Sequence, residues 1–521
     1  MDRKGTIGQR LMIGVQGDCC NNEMKQHLKH LSPGGVILFS RNIRNREQVA
    51  TLIREIKEVV SPSPLIAVDQ EGGLVARFLR EMTVMPGNMA LGAVGSMEKA
   101  YQQGVVMSRE LKAFGIDINL APVVDVVTGY NNPGITVRSF GADPDRVGGL
   151  AVNLIKGMQS NGIGTVAKHF PGKGAATEDA HFDLPRVEMS WDELVDIHLH
   201  PFRRCIEEGV EGIMSSHVIY GNIFGAENIP ATFSPRIIKG YLRGHMKFNG
   251  VAFSDDLEMG AISRFFSFEE TVIKTVLAGH DMILICSDYE KQRLAFQFLV
   301  EALRAGTVSG SEHDEAVTRI ERMRIMIQKN EKRGDEADRM EAQKCAQEIA
   351  EESITVVRGE TPVPIPFGSV REILALIPDL SNLESLEDGF EVGPTNFVGR
   401  MLKERFPVAL KTHFIALDPA VEEAEGIRTA AAYSDLIVAF IFNAQVLAGQ
   451  RLILEELKRI EKPVVYVLLR NPFDLELLEP RMTTVVTYGY RKVQIDATIR
   501  VLAGEFSAVG KLPFPCRGRK E

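Results

Sequence analysis

Charged and imidazole side chains recur in this chain where short apolar, β-branched runs end. Leu65–Val68 runs into Asp69-Gln-Glu-Gly-Gly, Gly115–Leu120 into Pro122-Val-Val-Asp and later Arg138-Ser-Phe-Gly, and Ile163–Ala167 into Lys168-His-Phe-Pro-Gly-Lys-Gly. Gly212–Ser216 leads to His217, and Val251–Ser254 to Asp255-Asp256. Carboxylates and imidazoles are the groups of nucleophilic and acid–base chemistry, and cations beside them hold polar ligands. Taken singly, most of these residues have a plainer reading. Asp69, Glu71 and Asp256 suit the start of a following helix, and Arg138 suits a surface. Lys168-His169 does not, because a charge directly after an apolar strand is costly unless it is paired. The convergence of several loops is what argues for a site.

Those runs, completed by Leu11–Val15, Gly35–Phe39 and Asp281–Ile285, alternate with amphipathic segments such as Met97–Phe114, Arg146–Asn161, Trp191–Glu208 and Phe268–Ala278. Alternation of this kind is the βαβ pattern of a parallel sheet. Eight strands suit a (β/α)8 barrel of ~250 residues or more, whose active site is built at the C-terminal ends of its strands. A doubly wound sheet gives similar local patterns, but the strand count and the loaded strand ends favour the barrel. From about Glu312 to Glu352 the chain is charge-dense and reads as solvated helices around a linker. After Pro366 the alternation resumes at Glu372–Ile377, Leu410–Leu417, Leu436–Phe442, Val464–Leu469 and Thr484–Thr487. The predicted organisation is an α/β chain with a barrel over residues 1–335, a linker over 336–365 and a smaller α/β/α sandwich over 366–521.

Composition narrows the partners. The 521 residues are 45% hydrophobic and 25% charged, which is ordinary for a globular protein. Sixty Lys and Arg against 69 Asp and Glu leave a net charge of -9, so nothing favours nucleic acid or an anionic membrane. Six scattered cysteines without a C-x-x-C pair suggest free thiols and a reducing compartment. The N-terminus lacks an apolar leader core and no apolar run reaches the ~18 residues of a membrane span, so the expected location is the cytoplasm. A metal site would draw on His169, His181, Asp183 and His198 or His200. In a helix, however, residues i and i+2 do not share a face, and no metal or cofactor is expected.

The segment Lys168-His-Phe-Pro-Gly-Lys-Gly-Ala-Ala-Thr-Glu-Asp-Ala-His-Phe-Asp-Leu-Pro resembles the signature of family 3 glycoside hydrolases, in their β-N-acetylglucosaminidase branch. Asp69-Gln-Glu-Gly-Gly with Arg77, Asn119-Leu-Ala-Pro-Val-Val-Asp-Val, Arg138-Ser-Phe-Gly, Met214-Ser-Ser-His and Phe253-Ser-Asp-Asp agree in order and spacing. Leu469-Arg-Asn-Pro-Phe-Asp-Leu and the segment from Gly504 to Pro513 look like the second domain of longer members.

The resemblance implies Asp255 as nucleophile and Asp179 with His181 as an acid/base dyad. It implies Asp69, Arg138, Lys168 and His169 as sugar-binding residues, with His217 nearby. Strand alternation predicts that Asp256 faces away to brace, and Gly172, Gly174, Ala175 and Ala176 predict a mobile dyad loop. Lys173 and Ala180 depart from the common His and Ser, and a cation at Lys173 would suit an anionic leaving portion. The expected activity is exo-acting, retaining hydrolysis of terminal GlcNAc from peptidoglycan- or chitin-derived fragments, with a small carbohydrate as the partner. A β-N-acetylglucosaminide phosphorylase and a degenerate sugar-binding protein are the alternatives.

Overall fold

The computed structural model of the chain describes residues 3–130, 132, 134–176, 184–221, 223, 229–329, 339–380 and 396–516. Eight parallel strands close into a barrel: β1 (Leu11–Gly14), β2 (Gly35–Leu38), β3 (Leu65–Val68), β4 (Ile118–Asn119), β5 (Gly164–Phe170), β6 (Gly212–Ser215), β7 (Val251–Asp256) and β8 (Met282–Ile285). Each strand pairs with its neighbour in sequence, and β8 closes on β1. All eight predicted runs contribute, although β4 is trimmed to two residues.

Alternation sorts the strand residues onto two faces. Met12, Ile37, Leu65, Ala67, Ile118, Val166, Met214, Phe253 and Met282 share an interior cluster with Ile320, Met323 and Ile327 of the helix Gly310–Lys329. The barrel is therefore a packed core, closed at the N-terminal end of β5 where Ile327 meets Gly164. Leu11, Ile13, Val36, Leu38, Ile66, Val68 and Ile283 point outward under the helices. Several of those helices start on side-chain caps. Asp143 accepts from the backbone N–H groups of Asp145 and Arg146 ahead of Pro144–Gln159, whose Val147, Leu150, Leu154 and Met158 are buried. The predicted helix Trp191–Glu208 is interrupted: a π-turn at Leu194–His198 precedes a new helix, His200–Glu207, with Pro201 in its first turn.

Residues 339–353 form a helix between the domains. Its Glu348 and Glu352 bind Lys99 on the barrel at 2.6 and 3.3 Å. The second sheet has six strands: β9 (Thr355–Val357), β10 (Glu372–Pro378), β11 (Ala409–Ile415), β12 (Leu436–Ile441), β13 (Val464–Leu468) and β14 (Thr483–Val486). Their order is β9-β14-β13-β12-β10-β11, and all pairings are parallel except the edge pair of β9 with β14. Ile373, Ala375 and Ile377 of β10 pack with Leu402, Ile495 and Ile499, while Leu374 and Leu376 face the side of Ile427 and Leu454. This is the α/β/α sandwich the alternation predicts. Strand β9 is too short to carry a period and is not visible in the sequence pattern.

The C-terminal ends of the two sheets face each other. Past β13, Phe473 stacks on Tyr130 of the barrel with ring centroids 4.6 Å apart and planes 7° from parallel. Tyr130 also donates its hydroxyl to the carbonyl of Pro515 at 2.6 Å. Phe473 is 1% exposed, so Phe473→Ala should cost about 3–5 kcal/mol of unfolding free energy in urea. A cost below about 1 kcal/mol would mean that the ring is not held between the domains.

Candidate active site

The loops after β3, β4 and β5 meet in a buried ion-pair cluster. Lys168 lies at the end of β5, and its ammonium is 2.7 Å from Asp69 Oδ1 and 2.8 Å from Glu71 Oε1. Glu71 also takes both forks of the Arg138 guanidinium, at 2.9 and 2.8 Å. Arg77 approaches the second oxygen of Asp69 at 3.6 Å. Burial raises the cost of every one of these charges, and only the partners recover it. Desolvation pushes the Glu71 carboxyl up, but Arg138 and Lys168 outweigh it and hold the group at about 2. Arg138 and Lys168 are likewise held above their ordinary values by the carboxylates, against desolvation.

Register shifts place adjacent residues on one wall. The pairing of β5 with β6 shifts between Lys168 and Phe170, so His169 lines the same cavity as Lys168 instead of facing outward. His169 Nδ1 is 2.8 Å from Asp125 Oδ2, and the Lys173 backbone N–H donates to Asp125 Oδ1 at 2.7 Å. Burial lifts the Asp125 carboxyl to about 6, with Lys173 and its N–H opposing. The pairing of β7 with β8 shifts between Met282 and Leu284, and both Asp255 and Asp256 reach the cavity. This corrects the simple alternation, although Asp256 still braces. Its Oδ1 accepts from the N–H groups of Glu258 and Cys286, and its backbone carbonyl accepts from His217 Nε2 at 2.9 Å.

The two aspartates are driven apart by their surroundings. Burial raises Asp255, but His217, Lys173, the Asp256 N–H and Lys168 outweigh it and leave the group below its ordinary value. Burial and the neighbouring Glu258 and Asp255 charges lift Asp256 to about 7. Asp255 is thus the carboxylate of the pair kept ionised.

Together these side chains line a cavity of about 280 Å³ at the C-terminal mouth of the barrel. Asp69, Glu71, Arg77, Arg138, Lys168, His169, Lys173, Asp255 and Asp256 give its polar wall; Ile37, Leu120, Met214 and Leu284 give its apolar floor. Of the predicted site residues, Asp69, Arg138, Lys168, His169 and Asp255 meet here. His217 reaches the site through Asp256 and has Nδ1 2.8 Å from Thr232 Oγ1. Asp179 and His181 lie outside the described residues.

Gly172 and Gly174, ahead of the dyad, are closely packed. A Cβ on Gly174 would sit 1.7 Å from the Val126 carbonyl, and Asn132 holds the Lys173 carbonyl at 2.8 Å. Lys173 itself lines the cavity beside Asp125 and Asp255, so part of its charge is used on those carboxylates. His198 packs beneath Gly172 and His200 binds Asp145 on the surface. No group of three or more His, Cys, Asp or Glu among the described residues is arranged to hold a metal ion. Asp125 and the hub role of Glu71 are missed by the sequence reading. A carboxylate inside the apolar run Pro122-Val-Val-Asp-Val-Val is the available signal for Asp125.

Two outcomes follow. Glu71→Gln removes the shared anion of two buried cations and should cost about 3–5 kcal/mol of unfolding free energy at neutral pH. The Glu71 contribution is present above its unfolded value near 4.5 and is lost as pH falls through about 2, so the deficit should shrink on acidification. Asp125 has the opposite sign. Its folded value is raised from 3.8 to about 6, so its stabilisation is full below 3.8 and is lost as pH rises through about 6. Asp125→Asn should therefore flatten the loss of stability from about pH 4 to about pH 7, and an unchanged slope would refute the assignment.

Residues 3–323 match the family model described as the glycosyl hydrolase family 3 N-terminal domain. A beta-hexosaminidase from Tolumonas auensis is 38% identical over 281 residues, 53% of this chain and 83% of that protein. Among solved structures, a glycoside hydrolase family 3 beta-N-acetylglucosaminidase from Paenibacillus sp. superposes with a TM-score of 0.92 at 31% identity, covering 99% of both chains. NagZ from Neisseria gonorrhoeae, at 33% identity and a TM-score of 0.55, covers 65% of this chain and 96% of its own. With a barrel of this family's kind carrying an ionised carboxylate and a charged cradle at its mouth, the chain belongs to glycosyl hydrolase family 3 and is a glycoside hydrolase.

Proposed function

We propose that the enzyme is an exo-acting, retaining β-N-acetylglucosaminidase that removes terminal GlcNAc by double displacement. The observation that carries this reading is Asp255, an ionised carboxylate lining the same cavity as the Asp69–Lys168–Glu71–Arg138 cluster. In the first step Asp255 attacks the anomeric carbon and the glycosidic C–O bond breaks. His181 protonates the leaving oxygen, and Asp179 orients the imidazole and balances its charge. In the second step His181 takes a proton from water, which attacks the glycosyl ester and frees Asp255. An imidazole suits both roles because its ordinary pKa of ~6.5 lies close to neutrality.

The size of the cavity supports exo action. At about 280 Å³ it lies near the lower end of the ~300–1,000 Å³ typical of ligand pockets and suits one sugar. Asp69, Arg138, Lys168 and His169 would hold its hydroxyls and acetamido group by charged hydrogen bonds. The relatives named beta-hexosaminidase and beta-N-acetylglucosaminidase support the choice of an acetamido sugar. Fragments of peptidoglycan or chitin are the substrates we infer, and six free cysteines suit action in the cytoplasm.

The test is hydrolysis of aryl β-N-acetylglucosaminide beside aryl β-glucoside, each with and without phosphate. The acetamido sugar should be preferred and free GlcNAc released in both buffers. Asp255→Ala should lower kcat by roughly 10⁴-fold or more. In kcat/KM, which reports the step in which the leaving group departs, His181→Ala should lose about 10²–10⁴-fold on a poor leaving group and far less on dinitrophenolate, which needs no proton. GlcNAc-1-phosphate as product would overturn hydrolysis, and equal loss on both leaving groups would overturn the acid role of His181.

A further inference from the structure

The turn that carries Glu71 is held from the second domain. Glu71 and Gly72 donate their N–H groups to the Val75 carbonyl at 3.0 Å each, closing the turn. Gly73, at φ +55°, donates to Met85, and a Cβ there would stand 2.8 Å from the Pro86 carbonyl. The turn thus lies flat against residues 85–87. Arg491 reaches across the domain boundary and donates Nε to the Gly73 carbonyl at 2.8 Å and Nη2 to the Leu74 carbonyl at 3.5 Å. Gln494 donates to the Pro86 carbonyl at 3.2 Å, so both layers of the turn are gripped by one segment.

The helix Lys492–Ala503 does not explain Arg491. That residue occupies the N-cap position and makes no capping hydrogen bond. A cation there opposes the helix dipole, and Ser, Thr, Asp or Asn would serve the helix better. The guanidinium is placed for the turn.

We propose that Arg491 is a positioning residue that fixes the Glu71–Val75 turn and, through Glu71, the Arg138 and Lys168 donors facing the terminal sugar. Sugar affinity in the barrel then depends on the second domain. This rests on the reading that the cavity takes a terminal GlcNAc.

Arg491→Ala should lower kcat/KM on aryl β-N-acetylglucosaminide by about tenfold to a hundredfold, as small displacements of positioning groups do. It should weaken binding of free GlcNAc, measured by calorimetry, by a similar factor. Arg491→Lys can reach one carbonyl and should recover part of the loss, and it carries the test if Arg491→Ala does not fold. Lys99→Ala serves as the control: it breaks contacts to Glu348 and Glu352 away from the turn, lowering the Tm without changing kcat/KM. A folded Arg491→Ala or Arg491→Lys whose GlcNAc affinity and kcat/KM match the unsubstituted enzyme would overturn the brace alone. Failure of the unsubstituted enzyme to bind GlcNAc would overturn the reading beneath it.

Discussion

A lysine withdrawn almost wholly from water has to be neutralised by the protein, and much of the site follows from how Lys168 is neutralised. Its side chain is 3% exposed, and desolvating a charge is repaid only by well-placed partners. Two carboxylates of one turn, Asp69 and Glu71, supply them. Two carboxylates on one lysine would leave an excess of negative charge, and Arg138 from the loop after β4 takes both oxygens of Glu71. Three loops, distant in sequence, are therefore locked in one arrangement by charge balance. A ligand entering the cavity meets donors whose geometry is already set, and little reorganisation is needed when charge develops on it.

The barrel contributes by breaking its own rule at two strand ends. Period-two alternation packs the interior as far as Val166 on β5 and Phe253 on β7. Beyond those residues a register shift in each strand adds a polar side chain to the wall that alternation alone would send outward. His169 and Asp256 are the residues gained. One meets Asp125, and the other braces the backbone beside Asp255, with its carbonyl fixed by His217.

How much of this is legible in the sequence depends on whether a feature repeats. Strands and helices repeat, and the eight barrel runs and five of the six sandwich strands lie where their patterns point. Strand β9 has three residues and pairs at an edge, which leaves no period to read. The charged strand ends are legible as a group because each interrupts an apolar run. Their pairings are not, since Glu71 looks like a helix cap until Arg138, 67 residues later, is seen to fold onto it. The small residues of Gly172–Ala176 are ambiguous for a related reason. Glycine marks slack loops and close approaches alike, and only the carbonyl of Val126 behind Gly174 decides between them.

The second domain fits the same electrostatic logic. NagZ from Neisseria gonorrhoeae matches 65% of this chain over 96% of its own length, so about a third of this chain has no counterpart in that structure. Here the sandwich is applied to the barrel mouth, with its own strand ends inward. Tyr130 and Phe473 close one side of that seam, and Arg491 and Gln494 meet turn carbonyls on the other. Each contact replaces water that would otherwise solvate the turns carrying the charged cluster. Removing water strengthens the remaining ion pairs and raises the cost of any arrangement in which they are broken. The described residues of the sandwich can therefore shape the cavity without placing a side chain in it, because they limit the freedom of the turn on which Glu71 stands.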